Sequence, residues 1–302
     1  MSKTDGGLTR RDFLRGTACV TIAGTAALPA RGQEPAAAPA SAPTAKVVLV
    51  RDANALDAAG KPNGPVIEQM LDRAVCELLG EQDAGAAWKR LVKPDDTVGV
   101  KTNAWRFLPT PEALEQAIKR RVMDAGVPEN RIAIDDSKIR SNPIFQQATA
   151  LINVRPMRTH HWAGVGSCLK NYILFSDKPW SWHEDSCANL AGIWELPAVK
   201  GKTRLNVLVM LTPLFHGKGP HHFQKEYTWE YKGMILGTDP VAVDATGLRI
   251  LEAKRLEYFN EVQSFVIPPK HIRVAEEKFH LGVADPSRID VKKLGWQDDV
   301  LI

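Results

Sequence analysis

Short runs of β-branched apolar residues recur along this chain, each followed by a stretch in which apolar residues return at helical spacing, and few folds accommodate that alternation. Residues 46–50, with Val47, Val48, Leu49 and Val50, read as a strand. Residues 65–79 read as a helix opened by Pro65, with Val66, Met70, Leu71, Val75, Leu78 and Leu79 at helical spacing. The strand signal returns at residues 97–101 and 131–135; between them Thr110 is placed to cap, and Pro111 to start, a helix that Gly126 stops. Further on, residues 205–211 form a continuously apolar strand, residues 232–236 another, and residues 240–256 a helix with Asp239 as its N-cap. This repetition predicts an α/β fold with a largely parallel or mixed sheet and crossover helices, either one domain or two lobes around a crevice. Strands that are apolar throughout, rather than at alternate positions, indicate that both faces of the sheet are covered.

In open sheets of this kind ligands bind beyond the C-terminal ends of the strands, so polar residues that directly follow apolar strands are the first candidates for a site. Four segments qualify: Lys101-Thr102-Asn103, Asp135-Asp136-Ser137, residues 158–171 and residues 212–222. Within the third, His160 and His161 precede a turn containing Gly164 and Gly166 that leads to Lys170 and Asn171, and His183 follows. Glycines there let backbone N–H groups approach an anion, and Lys170 adds charge. Imidazoles titrate near neutrality and are common metal ligands, so His160, His161 and His183 are candidates to hold a metal or move protons. The bland reading makes each a structural or surface histidine. The fourth segment carries His216, His221 and His222 around Gly217, Gly219 and Pro220, and reads equally as a site-facing or a solvated loop. Asp239 is explained by capping; Asp244, one turn into an apolar helix, is not, and is expected to face the crevice together with Lys101, Asp135 and Lys170. The GxxxxGK[ST] order of a Walker loop is absent.

The amino-terminal end bears on location rather than fold. Thr9-Arg10-Arg11-Asp12-Phe13-Leu14-Arg15, a weakly apolar stretch over 16–28 and small residues to Gly32 have the order of a twin-arginine signal peptide over 1–32. Residues 33–45 are mostly Pro and Ala and read as a tether, leaving 46–302 as the folded domain. The expected partner of the leader is the twin-arginine translocation machinery, with a periplasmic or other extracytoplasmic destination and no stable membrane anchor after cleavage. Lys3 and four arginines against Asp5 and Asp12 place +3 of the chain's +4 charge in the leader, so the remainder is close to neutral and no nucleic-acid partner is expected. Cys19 falls in the leader, and Cys76, Cys168 and Cys187 lack CxxC spacing. That argues against an iron–sulfur cluster, and leaves open a single Cys168–Cys187 bridge or plain buried thiols.

Val100-Lys101-Thr102-Asn103, Thr110-Pro111, Arg158-Thr159-His160, Leu169-Lys170-Asn171, His183, Gly219-Pro220 and Asp239-Pro240-Val241-Ala242-Val243-Asp244, in this order, resemble the domain-of-unknown-function family 362. The resemblance spans nearly all of the mature chain and names no activity. Many relatives carry ferredoxin-type cysteine clusters, and this chain has none. A fainter similarity, to nickel-dependent lactate racemases, matches His160, Lys170 and His183; it implies proton-transfer or metal roles for the two histidines and a cofactor-holding role for Lys170. A transition metal or a nickel-containing nucleotide is the cofactor this implies.

The site expected from these readings has His160, Lys170 and His183 as the reacting groups. Lys101, Asn103, Asn171, Gly219 and Asp244 are the cofactor contacts, and His160, His161 and His183 the metal ligands. Two functions fit. One is an exported enzyme performing racemase, isomerase or other proton-transfer chemistry on a small anionic substrate; the other is a non-catalytic exported protein that binds a metal, cofactor or metabolite. A purely structural role leaves the histidine and lysine cluster unused.

Overall fold

The computed structural model describes residues 44–302; the segments expected to be a signal peptide and, but for its last two residues, a tether lie outside the described residues. Ala45, expected to close the tether, instead opens the first strand. The strands β1 (Ala45–Arg51), β2 (Val98–Lys101), β3 (Ile132–Asp135), β4 (Ala150–His160), β5 (Gly164–Gly166), β6 (Thr203–Leu214), β7 (Gly233–Gly237) and β8 (Ile289–Gly295) join in one sheet. Its order is β3-β2-β4-β6-β7-β1-β8, with β5 paired to β4. β7 runs against β6 and β1, β5 against β4, and every other pairing is parallel. The fold is therefore α/β on a single mixed sheet.

Three helices, α1 (Gly64–Leu79), α2 (Ala84–Leu91) and α3 (Glu112–Asp124), pack on one face. After the single turn α4 (Pro143–Gln146) come α5 (Cys168–Asn171), the kinked turn α6 (Glu184–Cys187), α7 (Pro240–Phe259) and α8 (Lys270–Glu277), which cover the other. Each strand contributes to two cores because successive side chains point to opposite faces. Val47 and Leu49 belong to the α7 side while Val48 and Val50 belong to the α1 side, and β6 repeats this with Leu208 and Met210 against Val207 and Val209. No helix among the described residues is long and apolar enough to cross a membrane.

Helix signals near the ends were partly reassigned by tertiary contacts. Thr110 does not cap α3; its hydroxyl accepts from the Asn103 N–H at 3.0 Å and closes the loop after β2, while Pro111 takes the N-cap position. Asp239 does cap α7, accepting from the Val241 and Ala242 N–H groups at 2.8 and 3.0 Å, and its other oxygen accepts from the Val283 N–H at 2.8 Å. One carboxylate thus ties the start of α7 to the segment leading into β8. The least expected element is β4, whose eleven residues are all buried. Asn153, Arg155, Pro156 and Arg158 break its apolar pattern, and Pro156 is tolerated in a central strand because the register against β6 shifts between Pro156 and Arg158.

Candidate functional site

β2 and β4 are parallel neighbours whose onward connections leave in opposite directions, β2 to β3 on one side and β4 to β6 on the other. In open sheets such a switch point is the usual place for a ligand, because no crossover chain covers the gap at the strands' C-terminal ends. Lys101 ends β2, Asp135 and Asp136 follow from β3, and Arg155, Arg158 and His160 come from the last turns of β4.

A chain of amides fixes the floor of this gap. The Asn171 amide donates to the Lys101 carbonyl at 3.1 Å, the Asn153 side-chain oxygen at 2.8 Å and the Val154 carbonyl at 3.1 Å. Asn153 in turn donates to the Cys168 carbonyl and to Asn206, which donates to the Gly237 and Thr238 carbonyls. Polar groups removed from water must be paired, so this network holds α5, β4, β6 and β7 in one arrangement. Asn171, expected to contact a cofactor, instead contacts Lys101, and its amide is consumed by the protein itself.

Asp244 is fully buried and takes three donors, the Ser167 hydroxyl at 2.6 Å and the Cys168 and Leu169 N–H groups at 2.8 Å each. It caps α5 from α7, and burial holds its pKa up at about 6. It is a structural cap rather than a crevice-facing ligand, since both oxygens are engaged. Gly219 is likewise explained by packing: its φ is +66° and a Cβ there would lie 2.1 Å from the Thr159 carbonyl oxygen.

The cations are the unusual feature. Lys101, Arg155, Arg158 and Lys170 are 1%, 4%, 4% and 3% exposed, values that call for a partner for each. Lys101 has one: its ammonium donates to Asp136 at 2.6 Å and to the Thr102 carbonyl at 2.7 Å. Arg158 donates once to the Asn103 side-chain oxygen at 3.2 Å and stacks on Trp105, leaving its Nε without a partner. Lys170 reaches only the Cys187 sulfur, at 3.8 Å. Arg155 makes no hydrogen bond to any described residue, and its Nε is buried and unpaired. Burial lowers the pKa of Lys101 and Lys170 to about 8 and that of Arg155 to about 10. Burial, then the nearby Arg155, lowers that of Arg158 well below its usual value.

Around these cations stand neutral imidazoles. His160 is buried, its Nδ1 accepting from the Trp162 N–H at 3.2 Å, and burial followed by Lys170, Arg155 and Arg158 holds its pKa far below the usual value. It also lines a cavity of about 310 Å³ together with His161, Trp162, His216 and His221. Arg255, on the same wall, is engaged by the Phe215, Gln263 and Ser264 carbonyls. His161 and His183 are lowered to about 4, by burial first; the remaining causes for His161 are led by His221 and for His183 by Lys170.

The three imidazoles expected to bind metal do not form a ligand set. His160 and His161 stack face to face with ring centroids 4.7 Å apart, and the Trp162 indole contacts His161 and His183 at 4.4 and 4.2 Å. Stacked rings direct their nitrogens side by side instead of toward one point, and among the described residues no three His, Cys, Asp or Glu side chains are placed to hold a metal ion. Nor do Cys168 and Cys187 bridge: both are free thiols, one against Asp244 and one against Lys170.

Two contributors escaped the sequence reading. Arg155 sits inside β4, where two arginines three residues apart in a buried strand were the available signal. His271, on α8, left none. It is fully buried, neither ring nitrogen has a partner, and burial followed by Lys170 and Arg155 lowers its pKa to about 3. An unfolded histidine titrates near 6.5, so the unfolded chain takes up this proton first. His271 therefore leaves stability intact above about pH 6.5 and drains it as pH falls from there toward 3, by up to about 1.4 kcal/mol per pH unit. We expect His271→Met to lose less melting temperature than the wild type between pH 6.5 and 4.5; parallel curves in thermal melts would refute this.

A family model described as "Domain of unknown function (DUF362)" matches residues 53–249, a span that contains every candidate site residue expected from the sequence but not His271. No curated protein and no solved structure matches the chain.

Proposed function

For a chain that belongs to the DUF362 family, we propose that the crevice at the β2–β4 switch binds a small anionic molecule and moves a proton on it. The observation that carries this reading is the set of buried cations with too few partners among the described residues, Arg155, Arg158 and Lys170, of which Arg155 makes no hydrogen bond to any of them. A protein retains an arrangement so unfavourable in isolation when a bound anion offsets it. Arg155 and Arg158 suit a planar carboxylate or a phosphoryl group, and Asn103 and Trp105 hold Arg158 in place for it.

Proton transfer is supported by the groups beside the anion. Lys170, with a pKa near 8, is partly neutral at physiological pH and can take the proton, while His160, held neutral with Nδ1 engaged by the Trp162 N–H, serves as a hydrogen-bond partner at the reacting group rather than as the base. Lys170 takes the reacting role; His160, which borders both the cations and the cavity, takes the supporting one; His183 packs on Trp162 at the rim. No step runs through a metal or a nickel-containing nucleotide, since the imidazoles do not converge on one.

We place this activity outside the cytoplasm on the strength of Arg10 and Arg11 and the segment that follows them. Native mass spectrometry of the protein recovered from outside the cytoplasm is expected to show a small anionic molecule that is absent from Lys170→Ala. An unchanged ligand content in that variant would end the reading. Cells carrying lysine at both positions 10 and 11 are expected to retain the protein in the cytoplasm, and normal delivery would end the export proposal.

A further inference from the structure

Among the described residues, the interior around the β2–β4 switch holds four buried cations, Lys101, Arg155, Arg158 and Lys170, and one buried carboxylate, Asp244; the partly exposed Asp135, Asp136 and Glu115 lie on the Lys101 side. Asp136 is taken by Lys101 and the Ala104 N–H, and Asp244 by the three donors at the start of α5. Asp135 and Glu115 already accept from the Lys138 N–H and the Thr102 side chain. His160, His161, His183 and His271, whose pKa values burial lowers, add no charge. With Lys101 set against the partly exposed acidic groups, Arg155, Arg158 and Lys170 face Asp244 alone, which leaves the interior two negative charges short of balance.

Resting on the anion-binding reading, we propose that the ligand of this site is a dianion, such as a phosphoryl group or a dicarboxylate, rather than a monocarboxylate. A monoanion leaves one buried cation uncompensated, and desolvation makes that far more costly here than at a surface. Geometry favours the same conclusion, because the cations cannot readily separate to share solvent. Arg158 is pinned between Asn103 and Trp105, and Lys170 is carried by α5 on the Asp244 cap. The Arg155 guanidinium lies over Gly166, where a Cβ would be 2.9 Å from its terminal nitrogen. Gly166 is therefore a positioning residue for Arg155.

The test is calorimetric titration of the full chain with sulfate, inorganic phosphate, malonate and acetate at constant ionic strength. Sulfate, phosphate and malonate are expected to bind at least about tenfold more tightly than acetate, about 1.4 kcal/mol. Phosphate binding is expected to strengthen between pH 6 and 8 as its second proton leaves, while sulfate binding does not. Arg155→Gln removes one charge and is expected to bring the preference for dianions below about threefold. Gly166→Ala, which crowds the guanidinium without changing charge, is expected to weaken dianion binding, and it serves where Arg155→Gln fails to fold. Tighter malonate than phosphate marks a dicarboxylate, the reverse a phosphoryl group, and either supports the proposal. Equal binding of acetate and the dianions, lost in Arg155→Gln, overturns the dianion while leaving the anion site standing. Binding of none of the four, or binding untouched by both variants, overturns the anion site and the dianion with it.

Discussion

Replacing Arg155 by methionine is expected to stabilise the protein by about 1–3 kcal/mol while weakening anion binding and its preference for dianions. The side chain is almost wholly buried, has no hydrogen bond to a described residue, and has Lys170 and Arg158 as like-charged neighbours. The carboxylates that act on it, Asp136 and Asp244, are committed to other donors. Folding therefore removes most of the guanidinium's water, at Nε all of it, without returning a partner among the described residues, and an unbranched apolar side chain of similar reach lowers that cost and fills the space. For a domain of this size the gain corresponds to roughly 2–4 °C of melting temperature per kcal/mol. Arg158→Met should gain less, since Arg158 gives up a hydrogen bond to Asn103 and a stack on Trp105. Thermal melts in anion-free buffer decide this, and a lower melting temperature for Arg155→Met would contradict it. Stability and function in this protein then oppose each other at one residue, as expected where a site is preorganised for a charge it does not itself contain.

Asp244→Ala is expected to have the largest destabilising effect, about 3–5 kcal/mol, because it leaves the Ser167 hydroxyl and the Cys168 and Leu169 N–H groups buried without an acceptor. The loss should also loosen α5 and with it Lys170 and Asn171, so anion binding weakens through misplacement rather than through a lost contact. Burial raises the native pKa to about 6, whereas an unfolded aspartate titrates near 3.9, so the unfolded chain releases this proton first as pH rises. The stability difference between wild type and Asp244→Ala should therefore narrow from about pH 4 to about pH 6 and stay constant above. Urea unfolding at several pH values checks both statements. A cost below about 1 kcal/mol at pH 7 would show that the cap is dispensable.

The same residues show how unevenly the fold can be read from local pattern. The strands that became β1, β2, β3, β6 and β7 and the helices α1, α3 and α7 follow from periodicity and from proline and glycine at their ends, since these signals act over a few residues. α2, with Trp88 fully buried, and β8, whose burial alternates along a polar edge strand, are weaker local signals and depend on what they pack against.

The sequence by itself determined the α/β class, and it brought forward Lys101, Asn103, His160 and Lys170, which the fold buries. Tertiary structure alone decided their roles. Asp244 and Gly219 resemble ligand-facing residues in one dimension, yet their partners Cys168 and Thr159 lie far away in sequence, so only the folded chain shows a cap and a close backbone approach. Clustering along the chain put His160, His161 and His183 together but could not say how their rings would face, and stacking around Trp162 turned a metal set into a wall. Arg155 is the converse case: a charge inside a strand reads as a break in the pattern, and it is the centre of the proposed site because the sheet buries it near Lys170 with the carboxylates that act on it committed to other donors. Local propensity acts through neighbouring residues, whereas burial and pairing of charge are properties of the whole assembled sheet.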